Sequence, residues 1–210
     1  VLDVNMPRMD GLQLLEKLQK ERIKANVVMV STLTSKDADT TIMALELGAI
    51  DFVTKPNNII EAKGQEFKNN LLSVLSAALR MRKSTPALNS CNSRTLAAAK
   101  PAEPIKRLKP TGKNKLVALA CSTGGPKALQ SVIPYLPKNL NAPIVLVQHM
   151  PAGFTKSMAD RLNDISEITV KEAKDGEILQ KGNVYIAPGG RHMEIKKKTD
   201  GTHVIALNDM

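Results

Sequence analysis

The chain has 210 residues, 42% apolar and 24% charged, enough for one or two globular domains with substantial cores. Its formal net charge of +10 invites a nucleic-acid reading, yet ten basic residues and one acid, Glu103, fall between Arg80 and Lys115, so that segment alone carries +9. The rest is nearly balanced, which excludes a folded domain whose composition demands a basic face, and no run reaches the ~18 apolar residues of a membrane span or has the form of a secretory signal.

The sequence starts without an initiator methionine and inside an apolar stub that ends near Asp3, which predicts a chain cut at its start. Pro7 turns the chain, and Asp10-Gly11 precede a helix with Leu12, Leu15 and Leu18, or Leu14 and Leu18, on one face. A strand over 26–30 ends at Ser31. A helix over 37–47 stops at Gly48, a strand over 50–54 ends at Lys55-Pro56, and a helix covers 66–81. This alternation predicts most of a doubly wound α/β domain. Asp3, Ser31 and Lys55 all stand at strand ends, so in an open parallel sheet they meet at the carboxyl edge, where ligands of such folds bind. A carboxylate, a hydroxyl and an ammonium group there suit phosphoryl acceptance, with the carboxylate attacking; an ordinary surface ion pair fits the same spacing.

The basic segment contains Pro86, Pro101, Pro104 and Pro110, the run Ala97 to Ala99 and no aromatic residue for base stacking. It reads as a flexible, solvated linker over 83–113, with nonspecific contact to an acidic partner as the alternative. Two cysteines, Cys91 and Cys121, have neither metal-ligand spacing nor a disulfide framework, so a reducing cytoplasm is expected.

Beyond the linker, the apolar run 116–120 predicts a buried strand that stops at Cys121-Ser122-Thr123-Gly124-Gly125-Pro126. The glycines permit a sharp turn and Pro126 suits a first helical position. Ser122 then either stands exposed as a nucleophile beside helix N-terminal N–H groups, or simply caps the helix. The pattern G-x-S-x-G is only partly met, because Ala120 replaces the first glycine. A helix over 127–135 and a strand over 143–148 complete a β-α-β unit, placing His149 at the same edge as Ser122. Neighbouring strands lie ~5 Å apart, so His149 is within reach as general base, or it hydrogen-bonds only a loop. Cys121 is a rival nucleophile or a small packing residue.

Two resemblances sharpen these readings. Leu2-Asp3-Val4-Asn5-Met6-Pro7-Arg8-Met9-Asp10-Gly11 and Gly48-Ala49-Ile50-Asp51-Phe52-Val53-Thr54-Lys55-Pro56 resemble the receiver domain of bacterial response regulators. That resemblance implies Asp3 as phosphoacceptor, Ser31 as hydroxyl switch, Lys55 as the phosphoryl-paired cation and Phe52 as the aromatic switch. It also implies a divalent metal such as Mg2+, held by an acidic pair that lies before Val1. Ala120 to Pro126, Gln148-His149-Met150-Pro151 and Ile186-Ala187-Pro188-Gly189-Gly190-Arg191-His192 resemble the chemotaxis protein-glutamate methylesterase family, CheB. The resemblance implies Ser122 as nucleophile and His149 as base. It makes Thr123 and Gly124 site neighbours, and His192 a rim residue on a loop, with a structural role equally open to His192. The triad acid of that family sits on a later glycine-rich loop; Asn208-Asp209-Met210 does not match it, so the chain is expected to be cut at this end too and inactive as it stands.

The expected architecture is therefore α/β, two doubly wound parallel-sheet domains joined by a basic linker: a partial receiver over 1–82, the linker over 83–113 and a partial methylesterase domain over 114–210. The resemblance implies a phosphorylation-regulated serine hydrolase that demethylates glutamate γ-methyl esters, and deamidates glutamines, on methyl-accepting chemotaxis receptors. It needs no cofactor for the ester chemistry, takes phosphate from the chemotaxis histidine kinase, and neither enters a membrane nor binds nucleic acid. The alternatives are a phospho-regulated binding module without catalysis and a DNA-binding regulator acting through the basic segment.

Overall fold

The computed structural model describes residues 1–32, 34–56, 58, 64–81 and 115–209. The linker expected over 83–113, with most of the basic run and Cys91, lies outside the described residues.

The N-terminal part contains β1 (Leu2–Asp3), α1 (Gly11–Lys20), β2 (Val28–Ser31), α2 (Ser35–Glu46), β3 (Asp51–Thr54) and α3 (Gln65–Met81). Its strands run parallel in the order β1-β2-β3, with Asp3 opposite Val30 and Ser31 opposite Thr54. Local chemistry sets the helix starts. Asp10 and Gln13 form a reciprocal capping box, the Asp10 carboxylate accepting from Gln13 N at 2.8 Å and the Gln13 side chain accepting from Asp10 N at 3.1 Å. The second helix begins two residues earlier than its apolar pattern predicts, because Thr34 Oγ1 caps it by accepting from Asp37 N at 3.1 Å.

The C-terminal part contains β4 (Val117–Cys121), α4 (Gly125–Val132), β5 (Ile144–Gln148), α5 (Phe154–Asp164), β6 (Thr169–Glu172), β7 (Asn183–Ile186), β8 (Arg191–Lys197) and β9 (His203–Asp209). The first four strands form a parallel sheet in the order β4-β5-β7-β6, and the last two form an antiparallel hairpin. The helix predicted over 127–135 divides: α4 ends at Val132 and a single 3-10 turn follows over Ile133–Tyr135, where Pro134 has no N–H to continue the ladder.

Alternation along the strands assigns the two faces of this sheet. Ile144, Leu146, Val184 and Ile186 face Leu129, Phe154, Met158 and Leu162, while Val145 and Tyr185 pack with Ile205 and Leu207 of the hairpin. The expectation of a buried strand over 116–120 is corrected here. Among the described strands β4 is an edge, with β5 alone beside it, and Leu116 and Val117 are 46% and 38% exposed. An apolar run cannot by itself distinguish a central strand from an edge.

The two parts share one apolar cluster. Ala38, Ile42 and Leu45 of α2 belong to the same buried group as Phe154, Met158 and Leu162 of α5. Burial of side chains this size contributes roughly 1.5–3 kcal/mol each, so the contact is held mainly by apolar area.

Candidate active site

Ser122 follows immediately after β4 and is exposed. The chain then folds back tightly: Gly125 N donates to Ser122 O at 2.7 Å, and Gly124 takes the N-cap position at φ +76 without a side-chain cap. A left-handed φ is what glycine supplies cheaply. Ser122 therefore does not cap the helix, which removes the competing reading of this residue. Cys121 points the other way along the strand and packs against the apolar cluster, the arrangement of a packing residue rather than a nucleophile.

The histidine comes from the adjacent strand. Cys121 and Gln148 are opposite one another in the β4–β5 ladder, so Ser122 and His149 are each one residue beyond a paired position. His149 N donates to Cys121 O at 3.2 Å, and the imidazole is exposed at the same edge as the serine. No hydrogen bond joins the hydroxyl and the imidazole, and among the described residues no carboxylate pairs with His149. Asp209 instead pairs with Arg191 at 3.2 Å. An open cavity of about 290 Å³ is lined by Ser122, Thr123, His149, Pro151 and Gly190 from this part and by Asp51 and Phe52 from the other. His192 was expected on a loop at the rim. It lies instead within β8, exposed and opposite Asn208, because the hairpin begins directly after Gly190.

In the N-terminal part, Lys55 Nζ donates to Asp3 Oδ2 at 2.7 Å, and Asn5 N donates to Asp3 Oδ1 at 3.2 Å. Ser31 does not join them with its side chain. Its hydroxyl is buried, accepts from Thr41 Oγ1 at 2.8 Å and faces the Asp37 carbonyl at 3.4 Å, while its carbonyl accepts from Lys55 N at 2.6 Å. The edge thus brings together two of the three expected groups, and the third faces α2. Among the described residues no group of three or more His, Cys, Asp or Glu could hold a metal ion.

Comparison with known proteins settles what these two edges belong to. The family described as response regulator receiver domain matches residues 1–63, and the family described as CheB methylesterase matches residues 117–209. The chain carries receiver and CheB methylesterase domains. It is 45% identical over 208 residues to a protein-glutamate methylesterase/protein-glutamine glutaminase of Bacillus subtilis, covering 99% of this chain and 58% of that protein. A protein of the same name from Pyrococcus horikoshii is 43% identical over 208 residues, covering 99% of this chain and 54% of that protein. The crystal structure of the Thermotoga maritima CheB methylesterase catalytic domain is 54% identical with a TM-score of 0.45, covering 46% of this chain and 51% of that one. The chain thus spans little more than half the length of the curated relatives it matches.

The receiver touches the CheB methylesterase domain beside the serine corner. Asp51 Oδ2 accepts from Gly124 N at 2.9 Å, and the Phe52 and Phe154 rings stack with centroids 4.8 Å apart and 10° between planes. Further out, Glu46 receives Arg161 in a bidentate pair, 2.5 Å to Nε and 2.8 Å to Nη2. Burial pushes the Asp51 carboxyl above the usual carboxylate range, opposed by the N–H groups of Gly124 and Phe52.

Two residues to which the sequence assigned no role hold the turns of this edge in place. Buried Gln148 donates through Nε2 to Ser122 O at 3.0 Å and to His149 O at 3.4 Å, tying the Ser122 and His149 turns together. Fully buried Thr155 donates to Glu172 Oε1 at 2.6 Å and accepts from Gly189 N at 3.0 Å, which anchors the Gly189-Gly190 loop. A polar residue at the end of an apolar strand, as Gln148 is, was the available signal.

Proposed function

We propose that the protein containing this chain hydrolyses glutamate γ-methyl esters on methyl-accepting chemotaxis receptors and deamidates particular receptor glutamines, under control of the receiver. The observation that carries this reading is the placement of Ser122, exposed and free of a capping role, one residue past β4 and beside His149 one residue past β5. In that arrangement His149 takes the hydroxyl proton as Ser122 Oγ bonds to the ester carbonyl carbon. The carbonyl oxygen becomes an oxyanion and turns toward backbone N–H groups at the start of α4. Collapse breaks the bond to the methoxy oxygen, which leaves as methanol with the proton from the imidazole. Water, deprotonated by His149, then releases the glutamate carboxylate and restores Ser122. A glutamine side chain follows the same course with ammonia as leaving group.

In the receiver, Asp3 accepts the phosphoryl group from the chemotaxis histidine kinase, and Lys55, already on its carboxylate, pairs with the added oxygens. Ser31 and Phe52 serve as switch residues, Phe52 through its stack on Phe154. The substrate helices lie on the cytoplasmic side of their receptors, so the cytoplasm is the proposed location; no helix among the described residues is long and apolar enough to cross a membrane.

The test is methanol release from methylated receptor membranes by the full-length protein and its Ser122→Ala variant. Release by the parent with a fall of at least about 10³-fold in the variant supports the assignment; equal release by both removes Ser122 from the chemistry.

A further inference from the structure

Thr155 carries a fully buried hydroxyl that the ester chemistry does not use. It is the second residue of α5, where a β-branched side chain has few rotamers, so its oxygen is held in place. The single hydroxyl proton goes to Glu172 Oε1 at 2.6 Å in a charge-assisted bond, which leaves the oxygen lone pairs to accept from Gly189 N at 3.0 Å. Lys156, the next residue, gives its ammonium to Asp160 Oδ1 at 2.6 Å, and among the described residues no cation pairs with Glu172. A buried hydroxyl bound to a carboxylate adds little net stability over apolar groups of the same shape, so packing alone does not account for the pair.

What Thr155 holds is the backbone behind the histidine. A β-carbon on Gly189 would lie 2.5 Å from Met150 O, 2.6 Å from Pro151 C and 2.7 Å from Ala152 N, so this loop lies directly against the three residues that follow His149. Pro151 O also accepts from Phe154 N at 3.3 Å, which closes the same segment onto the first turn of α5. Residues 150–152 are thus clamped between the Gly189 backbone and the helix that carries Thr155, and the two sides of the clamp meet at one hydroxyl. Among the described residues the exposed His149 imidazole has no hydrogen-bond partner, so its backbone sets where it stands. Resting on the ester-hydrolase reading, we propose that Thr155 and Glu172 are positioning residues for the general base: their hydrogen-bond relay seats the Gly189-Gly190 loop against residues 150–152 and so fixes His149 beside Ser122. Gly190 lines the cavity together with Ser122 and His149, so slack in the loop reaches the reaction site from two sides. Glu172 acts through Thr155, and Thr155 through Gly189; neither touches a reacting atom.

The experiment measures kcat and KM for methanol release from methylated receptor membranes by the full-length protein and its Thr155→Val, Thr155→Ser and Glu172→Leu variants. Because a misplacement on the order of 1 Å costs up to ~10²-fold in rate, Thr155→Val, which keeps the shape and removes the hydroxyl, should lower kcat at least about tenfold and leave KM within about twofold. Thr155→Ser, which keeps the hydroxyl, should recover most of that loss, and Glu172→Leu should lower kcat severalfold. In the 210-residue chain, NMR should show the Gly189 amide exchanging about tenfold faster in Thr155→Val, with the His149 ring signals displaced, and both returning toward the parent in Thr155→Ser. Should the valine variant fail to fold, Glu172→Leu carries both comparisons against the parent. Parental kcat in folded variants overturns the proposal; so does a loss that serine does not recover, and so does faster Gly189 exchange with unmoved His149 signals. If the NMR responses appear but no protein releases methanol, the positioning of His149 is upheld and the ester-hydrolase reading is the one that fails.

Discussion

Asp51 and Gly125 make opposite demands at the serine corner, one of charge and one of space. Because the folded-state pKa of Asp51 is raised, the native chain holds its proton to higher pH than the unfolded chain does. Its contribution to stability is therefore fully present below the unfolded value near ~4 and is lost as pH rises through the folded value. Thermal melts should show the parent losing stability relative to Asp51→Asn across that window and running parallel to it above; a pH-independent difference would contradict the burial argument. At Gly125, an added β-carbon would lie 2.0 Å from Gln148 Oε1 and 2.7 Å from Cys121 Cβ. Gly125→Ala should cost ~1–3 kcal/mol in denaturant unfolding, and pairing it with Gln148→Ala should recover part of that loss. Full additivity of the two losses would show that Gln148 is not what meets the new methyl group. Sequence made Gly125 legible as a turn residue, but its close approach to Gln148 depends on the pairing of two strands that are separated in sequence.

At the scale of elements, α2, β3 and α5 decide how the domains meet, and apolar contact outweighs the ion pair. The Glu46–Arg161 pair is partly exposed, so Arg161→Ala should change stability by only ~0–1 kcal/mol. Phe154 is 1% exposed and stacks on Phe52, so Phe154→Ala should cost ~3–5 kcal/mol and loosen the domain contact. Comparable losses for the two, measured by denaturant melts, would reverse that ranking. Strand and helix order in the receiver was readable because glycine, proline and apolar spacing punctuate it. The edge position of β4 was not, since Leu116 to Ala120 look alike whether one or two strands lie beside them. The β8–β9 hairpin escaped for a similar reason: Arg191 to Lys197 alternate only weakly in polarity, and their cover of Val145 and Tyr185 appears only in three dimensions.

For the whole molecule, the motifs placed Ser122 and His149 at neighbouring strand ends and Asp3 and Lys55 at one edge, since strand ends and short glycine-rich turns are written locally. They did not disclose that Ser31 turns its hydroxyl toward α2, that His192 belongs to a strand, or that Asp51 crosses to the other domain. Each of those depends on which surfaces meet. The proposed activity joins two edges, the Asp3 carboxylate on one and Ser122 with His149 on the other, through β3 and the Asp51 and Phe52 contacts. Its most direct test is the rate of methanol release from methylated receptors by the full-length protein, with and without a small-molecule phosphodonor, beside Asp3→Asn. The account predicts that phosphodonor raises release in the parent at least about tenfold, a differential of ~1.4 kcal/mol between the two domain arrangements, and leaves Asp3→Asn at its basal rate. Release that ignores the phosphodonor, or that rises equally in Asp3→Asn, would contradict it.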